Sequence, residues 1–258
     1  MACNRDNSCV ASLPRRLGWC GRSRPFFGVV ALLAILMVPM AHGFQLRPMT
    51  QTMDAAGEPP RTTFQVRNTT DAPIAVQMRV TSRRIDSSGT EYNDDASEEL
   101  QIFPSQLILR PGQIQTVRVR WTGAPVTSEE RAFRVVAEQL PVNLDGDNQE
   151  STGISMMLRY RAALYVRPPE ATADVTVTEL DVQEEVVRVR VENRGTAHQL
   201  LAEGSLLVQS GEQQRRLDAR EIDAVATVNL LPGNERWISI PREVFPAAPD
   251  EISFVFRE

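Results

Sequence analysis

The sequence predicts an all-β protein built from two sandwich domains, and three observations predict it. Apolar and polar residues alternate in segment after segment, turn residues bound those segments, and no stretch sustains the 3.6-residue period of a helix. Strands recurring at roughly ten-residue spacing belong to sandwiches rather than to sheets wrapped in helices.

The first 43 residues stand apart. Five arginines (Arg5, Arg15, Arg16, Arg22, Arg24) precede the apolar run FFGVVALLAILMVPM (26–40), and Ala41-His42-Gly43 follows it. A basic leader, a short apolar run and a small-residue exit describe a secretory signal peptide, expected over 1–43. The run is shorter than the roughly 20 residues that span a bilayer, so no stable membrane insertion is expected once the leader is cleaved.

Beyond the leader, TTFQVRN (62–68), IAVQMRVTSRR (74–84), QTVRVRW (115–121), AFRVVAEQL (132–140) and 154–167 each alternate. Turn chemistry separates them: Asn68-Thr-Thr-Asp-Ala-Pro73, Arg110-Pro-Gly112, Asp145-Gly-Asp147. Only short tracts such as TSEERAF (127–133) could begin a helix. At RPPEAT (167–172) two prolines stop a strand from continuing on its ladder. A second set follows: DVTVTELDV (174–182), EVVRVRVENRG (185–195), SLLVQS (205–210), ATVNLLPGNERWISIP (226–241) and EISFVFRE (251–258). The boundaries predicted are 44–168 for the first domain and 169–258 for the second, with a cleft between them.

Charge and composition narrow the function. All three cysteines lie in the leader, so the exported chain must be held by apolar cores rather than by disulfides. All 28 basic residues are arginine; without the leader, 23 arginines face 32 acids, a net charge of −9 with no basic cluster in the sequence. That balance argues against a nucleic-acid partner. Catalytic sets lack parts. One histidine, His198, remains after the leader, in the polar loop NRGTAHQL, and reads as a surface loop residue. Zinc spacing is absent, and Asp145, Asp147 and Glu150 lack the spacing of a calcium loop. No glycine-rich phosphate loop follows a strand. A non-enzyme without metal or cofactor is expected.

One segment exceeds its structural need. In GISMMLRYRAALYVRPP (153–169), Ile154, Met156, Leu158, Tyr160, Ala162, Leu164 and Val166 form one apolar row. Fourteen residues at about 3.3 Å each outrun a ~100-residue sandwich. Leu164 and Val166 suit their own core, whereas Ile154, Met156 and Leu158 are expected to overhang or to line an open edge. Two readings remain: an ordinary core strand with a frayed start, or an edge that adds itself to a partner's sheet, its alternate side chains filling a groove.

Three stretches carry a family resemblance: IFPSQLILRPGQIQTVRVRW (102–121), SEERAFRVVAEQLP (128–141) and LRYRAALYVRP (158–168). In order and spacing they resemble the periplasmic chaperones of the chaperone–usher pilus-assembly pathway. The resemblance implies two immunoglobulin-like β-sandwich domains in an L-shaped arrangement, and a long strand that lends apolar residues to a pilus or fimbrial subunit lacking its own last strand. It implies an outer-membrane usher as second partner and the periplasm as location. Counted back from Arg167-Pro168, the donor positions fall on Ile154, Met156 and Leu158, with Tyr160 next in the row. The family's two basic residues for the subunit's terminal carboxylate fall on Thr50 and Ala163, where this chain has none; Arg161 and Arg47 are the nearest substitutes. Glu130 and Arg167 fall where the family places an interdomain ion pair, with Asp250 as a guess for its acidic third member. The rival is a secreted two-domain structural or adhesive module.

Overall fold

The computed structural model describes residues 43–56, 60–141 and 157–256. Eleven strands make the first sandwich: β1 (Phe44–Arg47), β2 (Thr50–Asp54), β3 (Arg61–Asn68), β4 (Ile74–Ser82), β5 (Arg84–Ile85), β6 (Glu91–Tyr92), β7 (Leu100–Phe103), β8 (Gln106–Leu109), β9 (Ile114–Trp121), β10 (Arg131–Gln139) and β11 (Arg159–Arg167). One sheet has the order β1-β3-β9-β7, the facing one β2-β11-β10-β4-β8, and β5 with β6 forms a small hairpin beside them.

Period-two alternation builds these sheets. β3 turns Phe64 and Val66 inward and Arg61, Thr63, Gln65 and Arg67 outward; β9 does the same with Val117, Val119 and Trp121. β11 sends Ala162, Leu164 and Val166 into the same core, where Phe44, Leu100, Leu109 and Phe133 are also sealed. Each such apolar side chain contributes about 1.5–3 kcal/mol by leaving water. Asn68 closes the bottom of the core, its amide donating to the carbonyls of Ala72 and Leu109. Buried polar groups of this kind are tolerated because they are bonded.

The second set of strands is β12 (Val175–Val182), β13 (Val186–Asn193), β14 (Gln199–Leu200), β15 (Gly204–Ser210), β16 (Gln213–Asp218), β17 (Asn229–Leu230), β18 (Glu235–Pro241) and β19 (Glu251–Phe256). Sheets β12-β13-β18 and β16-β15-β19 enclose a separate core of Val187, Val189, Val191, Leu206, Leu230, Ile238 and Ile240. Two departures from the sequence reading are found. The stretch 226–241 is not one strand: Pro232 cannot donate to a ladder, Gly233 takes φ +70°, and the chain turns there between β17 and β18. TSEERAF starts no helix; β10 begins at Arg131.

No helix among the described residues is long and apolar enough to cross a membrane.

Candidate functional site

β11 is the axis of the site. On one side it pairs with β10 along its whole length, antiparallel, from Arg159↔Glu138 to Val166↔Arg131. On the other side β2 runs parallel to it, but only from Ala163↔Thr50 to Arg167↔Asp54, with the Ala163 amide donating to the Met49 carbonyl. From Arg159 to Ala162 that second side has no ladder partner among the described residues. This is an open strand edge, and it begins next to Met157, which is 57% exposed.

The residues expected to line the edge divide. Ile154 and Met156 lie outside the described residues. Leu158 is not left over, as the sequence reading expected, but half-buried against the first core, and Tyr160, the next residue of the donor row, packs there too. The reason is the N-terminal strand: Leu158 lies over Gly43, where an added Cβ would come within 2.6 Å of Leu158 Cδ1. The Tyr160 ring meets Phe44 edge-on at 4.9 Å, and its hydroxyl donates to the Phe44 carbonyl at 2.7 Å.

The outward face of β11 carries Arg159, Arg161, Ala163, Tyr165 and Arg167, and two charged clusters sit on it. At the Arg167 end, Glu130 is sealed, its side chain 0% exposed. Arg167 Nε donates to it at 2.5 Å, the His198 amide donates at 3.1 Å, and His198 Nδ1 lies 2.6 Å from its other oxygen. A carboxylate only accepts, so Nδ1 carries the proton of that contact. The His198 ring stacks on Tyr165, centroids 3.6 Å apart. Tyr165 in turn accepts hydrogen bonds from Arg83 and Asn229, both at 2.8 Å. Burial pushes the Glu130 carboxyl up, but His198 and Arg167 outweigh it and hold it below the usual carboxylate range. Glu130 and Arg167 therefore pair, and their third member is a histidine. His198 is no surface loop residue: its side chain is 10% exposed, because the loop after β13 folds onto Tyr165. Asp250 belongs elsewhere, accepting from the Gly211 amide at the β15–β19 end.

At the Arg161 end, Glu91 on the β5–β6 hairpin holds three arginines. Arg161 Nη2 donates at 2.6 Å, Arg134 donates through two nitrogens at 3.0 and 2.6 Å, and Arg83 Nε donates at 2.9 Å. Burial again opposes ionisation; Arg134 and Arg83 overcome it and bring the Glu91 pKa to about 2. Beside this trio, Arg79 and Arg159 share Glu138. Five guanidiniums here meet two carboxylates. Arg47 does not join them. It alternates with Leu46 onto the outer face of the four-stranded sheet, while Arg161 faces out from the five-stranded one, so one carboxylate cannot bridge the two. Thr50 and Ala163, the positions to which the resemblance assigns the basic residues, are register partners, and Ala163 packs with Tyr165 and Leu231.

Among the described residues no group of three or more His, Cys, Asp or Glu is placed to hold a metal ion.

Two sandwiches, an N-terminal segment shared between the sheets of the first, and a long strand with one open edge among the described residues make an all-β architecture. Residues 52–172 match the model of pili and flagellar-assembly chaperones, PapD N-terminal domain. The match covers most of the first sandwich and a little under half of the chain. No curated protein sequence matches the chain. Among solved structures it is similar to the class 5 fimbriae chaperone CfaA, at 13% identity and a TM-score of 0.53, covering 75% of this chain and 84% of that one. It is also similar to a Salmonella enterica structure of SafA pilin with the SafB chaperone, at 14% identity and a TM-score of 0.52, covering 84% and 98%. A third is the CsuC–CsuE chaperone–tip adhesion subunit complex of Acinetobacter baumannii, at 14% identity and a TM-score of 0.50, covering 76% and 89%. At these identities the likeness concerns the fold, that of immunoglobulin-like sandwiches.

Proposed function

We propose that the chain, exported by a leader over 1–43, is a periplasmic chaperone that holds pilus or fimbrial subunits by donor-strand complementation. One observation carries the reading: the ladder on the β2 side of β11 stops at Ala163, leaving that side of Arg159–Ala162 without a ladder partner among the described residues, beside exposed Met157. A subunit strand laid there gains backbone hydrogen bonds, and Ile154 and Met156 supply the apolar side chains for its groove. Leu158 and Tyr160 anchor the donor strand to its own sandwich. The working units are 44–168, which binds, and 169–258, which Glu130, Arg167 and His198 fix to it. Release proceeds by exchange for a better-fitting subunit strand, and the loaded chaperone is handed to an outer-membrane usher. The outer face of the four-stranded sheet, with Phe103 70% exposed beside Arg118, stays open for that second contact.

The test is Ile154→Asp with Met156→Asp, co-expressed with candidate subunits. The variant is expected to fold with an unchanged circular dichroism spectrum and to lose co-purification of the subunit. A complex recovered at the wild-type level refutes the donor assignment.

A further inference from the structure

The outward face of the four-stranded sheet β1-β3-β9-β7 gathers positive charge that the sequence scatters between positions 47 and 120. Alternation sends every second residue of a strand to one side. Arg61 and Arg67 of β3, Arg118 and Arg120 of β9, and Arg47 of β1 therefore share this face, and all five are exposed. The residues between them are Gln, Thr, Ile and Phe, and no strand position on the face carries an acid. Among the described residues no carboxylate lies within ion-pair distance of Arg47, Arg67, Arg118 or Arg120, whereas Arg79, Arg134, Arg159 and Arg161 on the outward face of the other sheet are each paired.

The register makes this surplus costly. Arg61 stands directly opposite Arg120, and like charges so placed oppose sheet formation. The exported chain is net acidic, yet it sets no acid here. Apolar groups protrude from the same face: Phe103, opposite Arg118, is 70% exposed, and Ile114, opposite Arg67, is 53% exposed. Beside Phe103 and the Arg61–Arg120 pair lies a hollow of about 730 Å³, lined also by Thr63, Gln101 and Arg118.

The chemistry selects the partner. A protein interface fixes its register by matching charges of both signs. This face offers one sign only, over four strands, about 14 Å, and seven residues, about 20 Å. An anionic lipid surface needs no register, because its headgroups move laterally to meet each guanidinium, which grips phosphate through paired N–H donors. Exposed aromatic and aliphatic side chains enter the boundary between headgroups and acyl chains.

We propose that the outward face of the four-stranded sheet docks the chain reversibly on an anionic phospholipid membrane, its arginines meeting lipid phosphates and Phe103 and Ile114 entering the headgroup boundary. This is adsorption on a surface, not insertion. It rests on the reading above only for export to a compartment bounded by membranes. On the face left open for the outer-membrane contact, lipid is met first and gives way where the protein partner sits.

Cosedimentation of the exported chain with vesicles tests this. Vesicles of phosphatidylcholine alone are compared with vesicles of phosphatidylcholine and phosphatidylglycerol in equal parts, at rising ionic strength. Binding to the anionic vesicles is expected to exceed binding to the neutral ones by about tenfold or more at low salt, and to fall steeply as salt screens it. Each arginine near such a surface is worth about fivefold, so Arg118→Gln with Arg120→Gln is expected to lower binding about 25-fold. Phe103→Ser is expected to lower it several-fold with an unchanged salt slope. Arg215→Gln with Arg216→Gln, the same charge change on exposed β16, is expected to leave it unchanged. Because Arg120→Gln relieves the like-charge pair, its thermal midpoint is expected to hold or rise.

Equal binding to both vesicle types overturns the proposal, as does full binding by the Arg118/Arg120 variant or an equal loss in the Arg215/Arg216 variant. Capture of a poly-glutamate peptide without capture of anionic vesicles assigns the face to an acidic protein and overturns the lipid contact. Subunit co-purification is scored on the same variants and is expected at the wild-type level in Arg118→Gln with Arg120→Gln. A failed vesicle test with intact recovery removes the lipid contact and keeps the chaperone reading. Vesicle binding with full recovery in the Ile154/Met156 variant does the reverse.

Discussion

The two charged clusters on the outward face of β11 differ in how their charges balance. Around Glu130, one sealed carboxylate meets one arginine and one histidine, and every polar atom of the carboxylate is bonded. Around Glu91 and Glu138, five guanidiniums crowd two carboxylates at the rim of an open edge. Buried charges survive only when compensated, so the first arrangement is that of a joint between the sandwiches. The outer members of the second, Arg79, Arg159 and Arg161, are about half-exposed and add little to stability, since exposed pairs contribute at most about 1 kcal/mol, and such guanidiniums suit recognition of an anion. The first cluster is balanced, whereas the second carries a surplus of positive charge.

The comparison predicts unequal costs. Glu130→Gln removes the one carboxylate that pairs with Arg167 and His198 among the described residues and should lower the unfolding free energy by about 3 kcal/mol in urea titration. A loss below about 1 kcal/mol would mean the joint is dispensable. Glu91→Gln leaves Arg83, whose side chain is 8% exposed, with Tyr165 but without its carboxylate, and should cost about 1–2 kcal/mol. Its pH signature is specific. The folded Glu91 pKa, about 2, lies below its ordinary 4.5, so its contribution is complete above about pH 4.5 and fades as the pH falls toward 2. Unfolding midpoints measured across that window should converge for wild type and Glu91→Gln at the acid end; parallel curves would remove Glu91 from the network. His198→Ala gives up the stack on Tyr165 and one bond to Glu130, and about 1 kcal/mol is expected by the same titration. The smallest effect is that of Arg161→Ala, about 0.5 kcal/mol on folding because its side chain is 44% exposed, against a measurable weakening of subunit capture in pull-downs. A large folding loss with intact capture would reverse the roles of the two clusters.

Much of the fold could be read in advance, because strands with one face in the core print a period of two. TTFQVRN, QTVRVRW and AFRVVAEQL correspond to β3, β9 and β10 within a residue or so at each end. β16 was not readable: QQRRLD is solvent-facing on nearly every residue, so no apolar alternation marks it. In the site, Glu130 and Arg167 came to notice only through the family resemblance, whereas His198 was invisible, since a polar loop gives no hint of the stack 33 positions from Tyr165. Glu91 sits 43 positions from Arg134 and 70 from Arg161, on a strand of two residues, and nothing local joins them. The sequence carries one hint: Tyr165, an aromatic residue on the arginine-bearing face of β11, fits a face that is also covered.

The most direct test of strand addition is amide hydrogen exchange, residue by residue over 157–162, in the free chain and in its complex with a co-expressed pilus subunit. The account predicts fast exchange of edge amides in the free chain and strong slowing on complex formation, with the β10-facing amides slow in both. Edge amides that exchange equally fast in the complex, or that are already protected in the free monomer, would contradict it.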